Sequence, residues 1–171
     1  MQIFEKELFK QRCKMVKAFV GIDPSMRKNG FAICLMKEDK LYFQKYKKLA
    51  HWASDALTWT NDIFIVVEDS SLQNITFSKY ADGRSRTKIS RNVGMNQCAS
   101  RFAIDWLELH GHKVKGISPY AKGSKWTLDY AMELIKQLNL TILGNRKLSQ
   151  DDIDAFQLAL IAQSIMNYDK E

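Results

Sequence analysis

The sequence lacks the features that mark several common classes of protein. It has no uninterrupted apolar stretch of the roughly eighteen residues that a transmembrane helix needs. Residues 1–7 mix apolar and charged side chains and do not form the apolar core of a signal peptide. The sequence also contains no internal repeat. These absences favour a cytoplasmic protein that is neither membrane-inserted nor exported.

Cysteine and histidine are scarce and scattered. The three cysteines, Cys13, Cys34 and Cys98, are far apart, and the three histidines do not cluster with them. A structural zinc site requires clustered Cys and His ligands, so this spacing argues against one. An odd number of separated cysteines favours reduced and mostly buried thiols, as in a cytosolic compartment.

Acidic side chains are outnumbered by basic ones. The chain has 26 Lys and Arg against 19 Asp and Glu, which gives a formal charge of +7. This balance favours nucleic acid or another anionic surface as a partner. The 171 residues suit one domain over residues 1–171, and a hydrophobic content of 46% is ordinary for a globular protein.

Apolar periodicity and turn residues predict an α/β protein. Three strands would form a meander, because Asn29-Gly30 and Glu38-Asp39 are turn signals between them. A mixed five-stranded sheet with helices on both faces accommodates the predicted order, with residues 1–14 as an N-terminal extension. The predicted strands are 17–23, 31–37, 41–46, 63–67 and 114–117, and the predicted helices are 49–59, 94–109, 128–138 and 149 to about 168.

Residues 70–92 differ from the rest of the chain in composition. Polar and basic residues dominate, and they predict a long loop or hairpin, since the fold resumes afterwards. Loops of this length in compact domains are usually functional or disordered. The basic side chains would contact nucleic-acid phosphates, and Phe77 would wedge between bases. These basic residues are Lys79, Arg84, Arg86, Lys88 and Arg91.

Two carboxylates close apolar runs that we expect to be strands. Asp23 follows residues 19–22, and Glu68 follows residues 63–67. Ligand sites in open α/β sheets lie at the carboxyl ends of strands, where the terminal side chains of parallel neighbours come close. Two such carboxylates raise each other's pKa by repulsion, and a divalent cation removes that penalty. An Asp before proline is also a common turn former, whereas a Glu that closes a buried strand is harder to explain structurally.

The last predicted helix begins with three aspartates. Asp151 and Asp154 are three residues apart and therefore share one face of the first turn. Asp152 lies off that face, and we expect it to cap the helix together with Ser149. Acids in a first helical turn are commonly caps and would not indicate a site alone. Together with two strand-end carboxylates and a basic loop, they favour a metal-dependent site.

Three segments resemble the RuvC-type Holliday junction resolvases of the RNase H-like superfamily. Gly21-Ile22-Asp23-Pro24-Ser25, followed by Asn29-Gly30-Phe31-Ala32, resembles the first strand and turn of that family. Val66-Val67-Glu68 resembles its second acidic strand, and Asp151-Asp152-Ile153-Asp154-Ala155 resembles its C-terminal helix. The first segment alone is also similar to actin-like ATPases, but those carry a second phosphate loop for which this sequence has no Gly-rich counterpart.

The resemblance implies an Mg²⁺-dependent endonuclease that cleaves Holliday junctions or other branched DNA. Two ions roughly 4 Å apart would be bridged by Asp23, and Mn²⁺ would be able to substitute. The family often has a basic residue after the strand that ends here at residues 117–119; Lys122 is the first candidate for this catalytic role. Lys125 is the second candidate and otherwise a DNA contact. The implied metal ligands are Asp23, Glu68, Asp151 and Asp154.

The resemblance also implies a symmetric homodimer, because the two scissile strands of a four-way junction are related by an approximate two-fold axis. Residues 92–109 are the candidate interface, since Met95, Phe102 and Trp106 exceed one sheet-facing stripe. The alternative is burial of both sides within one domain. The basic segment 71–91 and the extension 1–14 depart from the family pattern and suggest a phage or prophage member.

Two other functions stay open at this point. One is a related RNase H-like nuclease that acts on RNA–DNA hybrids or forks. The other is a junction-binding protein without catalysis, although the presence of all four acids argues against an inactive site.

Overall fold

The structure is a computed structural model, and it describes residues 18–25, 30–59, 62–72 and 83–168, with the backbone alone for residues 84–86. The N-terminal extension, Phe77 and Lys79 therefore lie outside the described residues.

In the described ranges the chain alternates strands and helices as an α/β protein. The strands are β1 Ala18–Asp23, β2 Phe31–Lys37, β3 Lys40–Tyr46, β4 Ile63–Glu68, β5 Lys113–Ile117 and β6 Thr141–Leu143. The helices are α1 Leu49–Ala56, α2 Gly83–Leu109, α3 Pro119–Lys122, α4 Leu128–Gln137 and α5 Gln150–Tyr168, with a 3₁₀ turn at Ser70–Leu72.

The strands form one mixed sheet in the order β5-β4-β1-β2-β3-β6. β1, β2 and β3 make the predicted antiparallel meander, while β4 pairs parallel with both β1 and β5. The expected number of five strands is wrong, because β6 adds a sixth strand parallel to β3. A strand of three residues is too short to show an alternating pattern, so its pairing with β3 could not be read from the sequence.

Helices cover both faces of the sheet. Side chains of Val20, Ile22 and Ile65 pack on one face with Trp52 of α1 and Leu107 of α2. The other face packs against α5 and α4 through a second cluster of apolar side chains, which includes Cys34, Met36, Leu41, Ile135 and Phe156. None of the helices in the described ranges has an apolar stretch of the length that crossing a bilayer requires.

The helix α2 begins earlier than the sequence predicted. It starts at Gly83, so residues 83–92, expected to belong to a loop, are helical. Arg and Lys are good helix formers, and the hydroxyl of Thr87 donates to the carbonyl of Gly83 at 2.9 Å. This segment is polar because its helical turns are exposed to solvent, and not because it lacks regular structure.

Candidate active site

Asp23 and Glu68 lie side by side at the carboxyl ends of two parallel strands. Ile22 of β1 pairs with Val67 of β4, so the following residue of each strand is Asp23 and Glu68 respectively. Both side chains point to the α5 face, because the alternate residues Val20, Ile22 and Ile65 pack on the other face. The two strands are therefore parallel neighbours, which is the condition for their terminal side chains to come close.

Asp154 reaches the same place from the first turns of α5. Its side chain is 4% exposed, and its Oδ1 accepts a hydrogen bond from Gln150 at 3.3 Å. The close packing of α5 on β1 depends on Gly21, where a Cβ would overlap the carbonyl oxygen of Ala155 and lie 2.8 Å from the Cβ of Leu158. A glycine two residues before Asp23 thus allows the helix to approach the strand that carries this carboxylate.

Lys122 brings a cation into the carboxylate cluster. Its ammonium contacts Glu68 Oε2 and lies 3.7 Å from Asp154 Oδ1, and its side chain is only 4% exposed. The short helix α3 positions it: Ser118 caps the helix by accepting from the Ala121 N–H at 3.1 Å, and Pro119 occupies its first turn. Lys122, the first of the two candidate lysines, therefore lies inside the cluster.

The segment after Lys122 is held against α5 by hydrogen bonds. Gln157 Nε2 donates to the carbonyl of Lys122 at 2.8 Å and to that of Ser124 at 3.3 Å. Gly123 has a φ of 89°, a left-handed conformation that side chains with a Cβ rarely adopt. The chain can therefore turn sharply behind the lysine and return to α5.

The electrostatics of the cluster are unbalanced toward negative charge. The pKa of Asp23 is raised to about 8, mainly by burial and next by the charge of Glu68. Lys122 opposes this rise, and Asp154 and Asp151 add to it. Burial lowers the pKa of Lys122, but its hydrogen bond to Glu68 and the surrounding carboxylates outweigh this and raise the pKa above its ordinary value. Lys122 thus stays cationic, and its single charge does not balance the acids around it.

Asp151 lies at the edge of the cluster and is engaged by a residue that the sequence did not single out. Lys45 of β3 donates to Asp151 Oδ2 at 2.8 Å. The register explains this contact, because Asp23 pairs with Ala32 and Ala32 pairs with Lys45, so all three lie in one row across the sheet. Finding Lys45 requires knowing that register, and its β3 sequence alone offers no signal beyond a basic residue near a strand end.

Asp152 caps the helix and does not join the cluster. Its Oδ2 accepts hydrogen bonds from the N–H and the hydroxyl of Ser149, at 2.8 and 2.7 Å. Its Oδ1 pairs with Arg146, and the side chain is fully buried. These contacts agree with the capping role expected from the sequence.

A second buried aspartate fixes the end of β4. Asp69 follows Glu68, is 2% exposed, and accepts from the N–H and hydroxyl of Ser71 at 2.9 and 2.6 Å. Its other oxygen lies 3.6 Å from Arg101 of α2, and its N–H donates to the Ile117 carbonyl at 2.7 Å. Asp69 therefore ties the strand end that carries Glu68 to β5 and α2. The sequence analysis missed it, although an Asp-Ser-Ser turn after a strand is a recognisable signal.

Those predicted DNA contacts whose side chains the structure describes lie on the surface, outside the carboxylate cluster. Lys125 is mostly exposed, and its ammonium lies 3.8 Å from Asp154 Oδ2, a surface pair that contributes little. Lys88 and Arg91 are exposed on α2, and Arg84 and Arg86 belong to the first turn of that helix. The helix α2 connects the parallel strands β4 and β5, and its Gln97 and Ser100 contact Ser70 just past the end of β4. Its first turns therefore extend beyond the sheet edge that carries the carboxylates.

The donor set fits a hard divalent cation, although the side chains are not arranged around one. Among the residues that the structure describes, no three His, Cys, Asp or Glu side chains are positioned to hold a metal ion as they stand. Instead, Lys122 forms ion pairs with Glu68 and Asp154, and Lys45 forms one with Asp151. Carboxylate oxygens are nevertheless the ligands that Mg²⁺ prefers. Burial and, next, the neighbouring charge of Glu68 raise the pKa of Asp23, and a bound cation would offset both effects.

Comparison with known proteins relates the whole chain to one fold. No protein-family model matches the sequence, and no curated protein sequence matches it. The structure of T. thermophilus RuvC in complex with Holliday junction substrate matches with a TM-score of 0.55 and 12% sequence identity, over 90% of this chain and 96% of that one. A Thermus thermophilus RuvC structure gives a TM-score of 0.49 and 13% identity, over 88% and 96% of the two chains. On the first of these similarities, the chain has the RuvC fold, an RNase H-like mixed sheet with helices on both faces.

Proposed function

We propose that the protein is a structure-selective, Mg²⁺-dependent endonuclease that cleaves Holliday junctions or other branched DNA. The observation that carries the proposal is the meeting of Asp23, Glu68 and Asp154 with a buried lysine at the strand ends of a RuvC-like sheet. The chain is basic overall, at +7, yet gathers carboxylates at this point. Such a distribution suits a polyanionic substrate that is held against the carboxylates through divalent cations.

The roles of the side chains follow from their chemistry. Asp23, Glu68 and Asp154 would hold the cations, and Asp151 would join them on release from Lys45. Bound Mg²⁺ would lower the pKa of the attacking water and stabilise charge on the phosphate. Hydrolysis would join the water oxygen to phosphorus and break the bond to the 3′ oxygen, leaving 5′-phosphate and 3′-hydroxyl ends. Lys122 is cationic and would stabilise the charge that develops on the phosphate oxygens.

DNA would also be held outside the cluster by basic residues of α2 and of the segment before it. Lys88 and Arg91 are exposed and lie along the first turns of α2, which extend beyond the active-site edge of the sheet. We propose that they contact phosphates, and that Phe77 wedges between bases at the branch point. The same phosphate role is proposed for Lys79, Arg84, Arg86 and Lys125.

We further propose a homodimer in which α2 forms the contact between protomers. Met95, Phe102 and Leu109 follow one another at intervals of seven residues and therefore form one stripe along α2. Phe102 is 38% exposed, Leu109 is 81% exposed, and Met95 is partly buried. Trp106, which the sequence had suggested for this surface, packs within the domain on Trp52, with ring centroids 5.5 Å apart, and Phe102 also meets Trp52 in an edge contact, with ring centroids 6.3 Å apart. A two-fold dimer would present one active site to each of the two scissile strands of a junction.

The proposed function is tested by cleavage of synthetic substrates. The substrates are a four-way junction, a Y-fork, a linear duplex and an RNA–DNA hybrid, each incubated with Mg²⁺ and, separately, with EDTA. We expect cleavage of the branched DNAs in Mg²⁺ and none in EDTA. Preferred cleavage of the hybrid would instead assign a ribonuclease H activity, and tight junction binding without cleavage would assign a non-catalytic junction-binding protein.

A further inference from the structure

A basic surface lies beside the carboxylate cluster, where β3 ends and α1 begins. An open cleft of about 610 Å³ is formed by residues 44–48 together with His51, Ser54 and Asp55. Lys47, Lys48 and His51 are exposed in it, and Asp55 is the one acidic residue among the described residues that line it. We refer to Lys45, Lys47, Lys48 and His51 as the β3–α1 corner.

The β3–α1 corner is continuous with the candidate active site. Lys45 lies in the same sheet row as Asp23, two strands away, which places their backbones about 10 Å apart. It donates to Asp151 at 2.8 Å, so the basic surface begins at the edge of the carboxylate cluster. From there Lys47 and Lys48 continue it past the end of β3 to the start of α1, and the Lys47 backbone lies beside Gly30. A nucleic acid strand that passes through the active site on this side would meet these lysines next.

The acidic residue of the cleft does not cancel this charge at the lysines. Asp55 accepts a hydrogen bond from the Tyr46 hydroxyl, whose pKa is raised to about 12 by burial, by that hydrogen bond and by the charge of Asp55. This hydrogen bond leaves the charge of Asp55 in place, but the cleft has this one carboxylate against three lysines, Lys45, Lys47 and Lys48. Lys48 is also the N-cap residue of α1, so the positive end of the helix dipole opens at the same surface.

The β3–α1 corner lies on one side of the carboxylate cluster, and the strands that α2 connects lie on the other side. β3 runs parallel to β1, because each is antiparallel to β2, and its last residues therefore lie at the same sheet edge as Asp23. β3 is two strands from β1 on one side, while β4 and β5, which α2 connects, lie on the other side. Branched DNA sends arms away from its branch point in different directions, and two flanking basic surfaces match that shape.

We propose that the β3–α1 corner binds the phosphate backbone of the DNA arm that leaves the active site on the side away from α2. This inference rests on the proposed function. Lys45 would contact the phosphate nearest the cleavage position, and Lys47 and Lys48 would contact those that follow. Each lysine that neutralises a phosphate releases counterions, so these contacts make affinity depend on salt.

The test compares two double variants of the same hairpin. Lys47→Gln/Lys48→Gln removes two charges from the corner. Lys37→Gln/Lys40→Gln removes two charges from exposed lysines at the other end of β2 and β3. Lys40 and Lys47 are seven residues apart, which is about 23 Å along a strand. Each variant therefore loses the same net charge from two exposed lysines, and their positions relative to the active site differ.

Binding of a labelled four-way junction is measured in EDTA, where cleavage cannot occur, over a range of KCl concentrations. The corner variant should bind roughly ten- to a hundredfold more weakly at about 0.1 M salt, and the slope of log K against log salt should fall by about 2. The control variant should keep the wild-type affinity and slope. Wild-type behaviour of the corner variant, or equal losses in both variants, would overturn the proposal. Thermal unfolding of both variants checks that the fold is retained.

The failure of this proposal is distinguishable from failure of the proposed function. If the wild type cleaves junctions in Mg²⁺ and the corner variant binds them normally, the corner is not a DNA surface and the catalytic proposal stands. If the corner variant loses affinity while the wild type cleaves no substrate, the corner binds DNA and the catalytic proposal fails.

Discussion

Gly21 lies against the backbone of α5 so closely that a Cβ at this position would overlap the carbonyl oxygen of Ala155, the residue after Asp154. Gly21→Ala should therefore push α5 away from β1, lowering the free energy of unfolding by about 1–3 kcal/mol through overpacking. Since Asp154 moves with the helix, cleavage should fall even at temperatures where the variant is fully folded. Urea unfolding and single-turnover cleavage measure the two effects.

Gly94→Ala is the matched control for this prediction. Gly94 is a helical glycine of α2 with open space around its Cβ position, so alanine there should stabilise the protein by up to about 1 kcal/mol. A Gly21→Ala variant as stable and as active as Gly94→Ala would contradict the close packing of α5 on β1.

The pKa of Asp23 predicts an unusual pH dependence of stability. Because this pKa is raised from 3.8 to about 8, the folded protein binds more protons than the unfolded chain between about pH 4 and pH 8. The contribution of Asp23 to stability therefore declines as the pH rises through that window. In metal-free buffer, Asp23→Asn should be more stable than the wild type at pH 8, and the two should converge near pH 4.

Thermal unfolding in EDTA between pH 4 and pH 8 measures this convergence. Asp152→Asn is the control, since it weakens the buried capping contacts with Ser149 and Arg146 and should destabilise the protein at pH 8. Added Mg²⁺ should raise the melting temperature of the wild type at pH 8 more than that of Asp23→Asn. A stability difference between Asp23→Asn and wild type that does not vary with pH would argue against the raised pKa.

The two lysines near the cluster should differ sharply in their effect on cleavage. Lys122 is buried against Glu68, whereas Lys125 is 73% exposed and only approaches Asp154 from outside. Lys122→Gln should lower the single-turnover cleavage rate by about 10²–10³-fold, the range for removing a group that stabilises transition-state charge. Lys125→Gln should lower it by less than about tenfold and act mainly on binding. If both substitutions lowered the single-turnover cleavage rate equally, the buried Lys122 would have no special role in catalysis.

The exposed stripe of α2 predicts the oligomeric state. Light scattering of the free protein should give twice the protomer mass of 19.8 kDa, and Phe102→Asp should shift it toward the monomer by placing a charge in the interface. Leu138→Asp is the control, because Leu138 is also exposed but follows α4. A wild type that is monomeric at tens of micromolar, with and without junction DNA, would sink the dimer and favour a nuclease that cuts one strand.

The strand-end carboxylates could be predicted from the sequence because their signals are local. Asp23 and Glu68 each follow a short apolar run, and the capping of α5 by Asp152 follows from its spacing to Ser149. The separation of Asp151 and Asp154 predicted one shared face; Asp154 lies in the cluster, and Asp151 lies at its edge. These features depend on residues within one element and on general rules about where sites lie in α/β sheets.

The features that the sequence did not reveal depend on contacts between distant elements. Lys45 meets Asp151 only because the registers of β1, β2 and β3 align it with Asp23. The strand β6 exists through pairing with β3 and is too short to carry a pattern of its own. The helical start of α2 at Gly83 was missed because a polar segment was weighed by composition, although its Arg and Lys residues favour helix.

The most direct test of the account is cleavage of a synthetic four-way junction in Mg²⁺ by wild type, Asp23→Asn and Asp152→Asn, with junction affinity measured in EDTA on the same preparations. Asp23→Asn should abolish cleavage and keep the wild-type affinity, because it removes a proposed metal ligand and no phosphate contact. Asp152→Asn should retain most of the activity below its unfolding temperature, because its carboxylate caps α5 outside the cluster. Cleavage by Asp23→Asn at the wild-type rate, or equal loss in both variants, would contradict the assignment of the active site to this cluster.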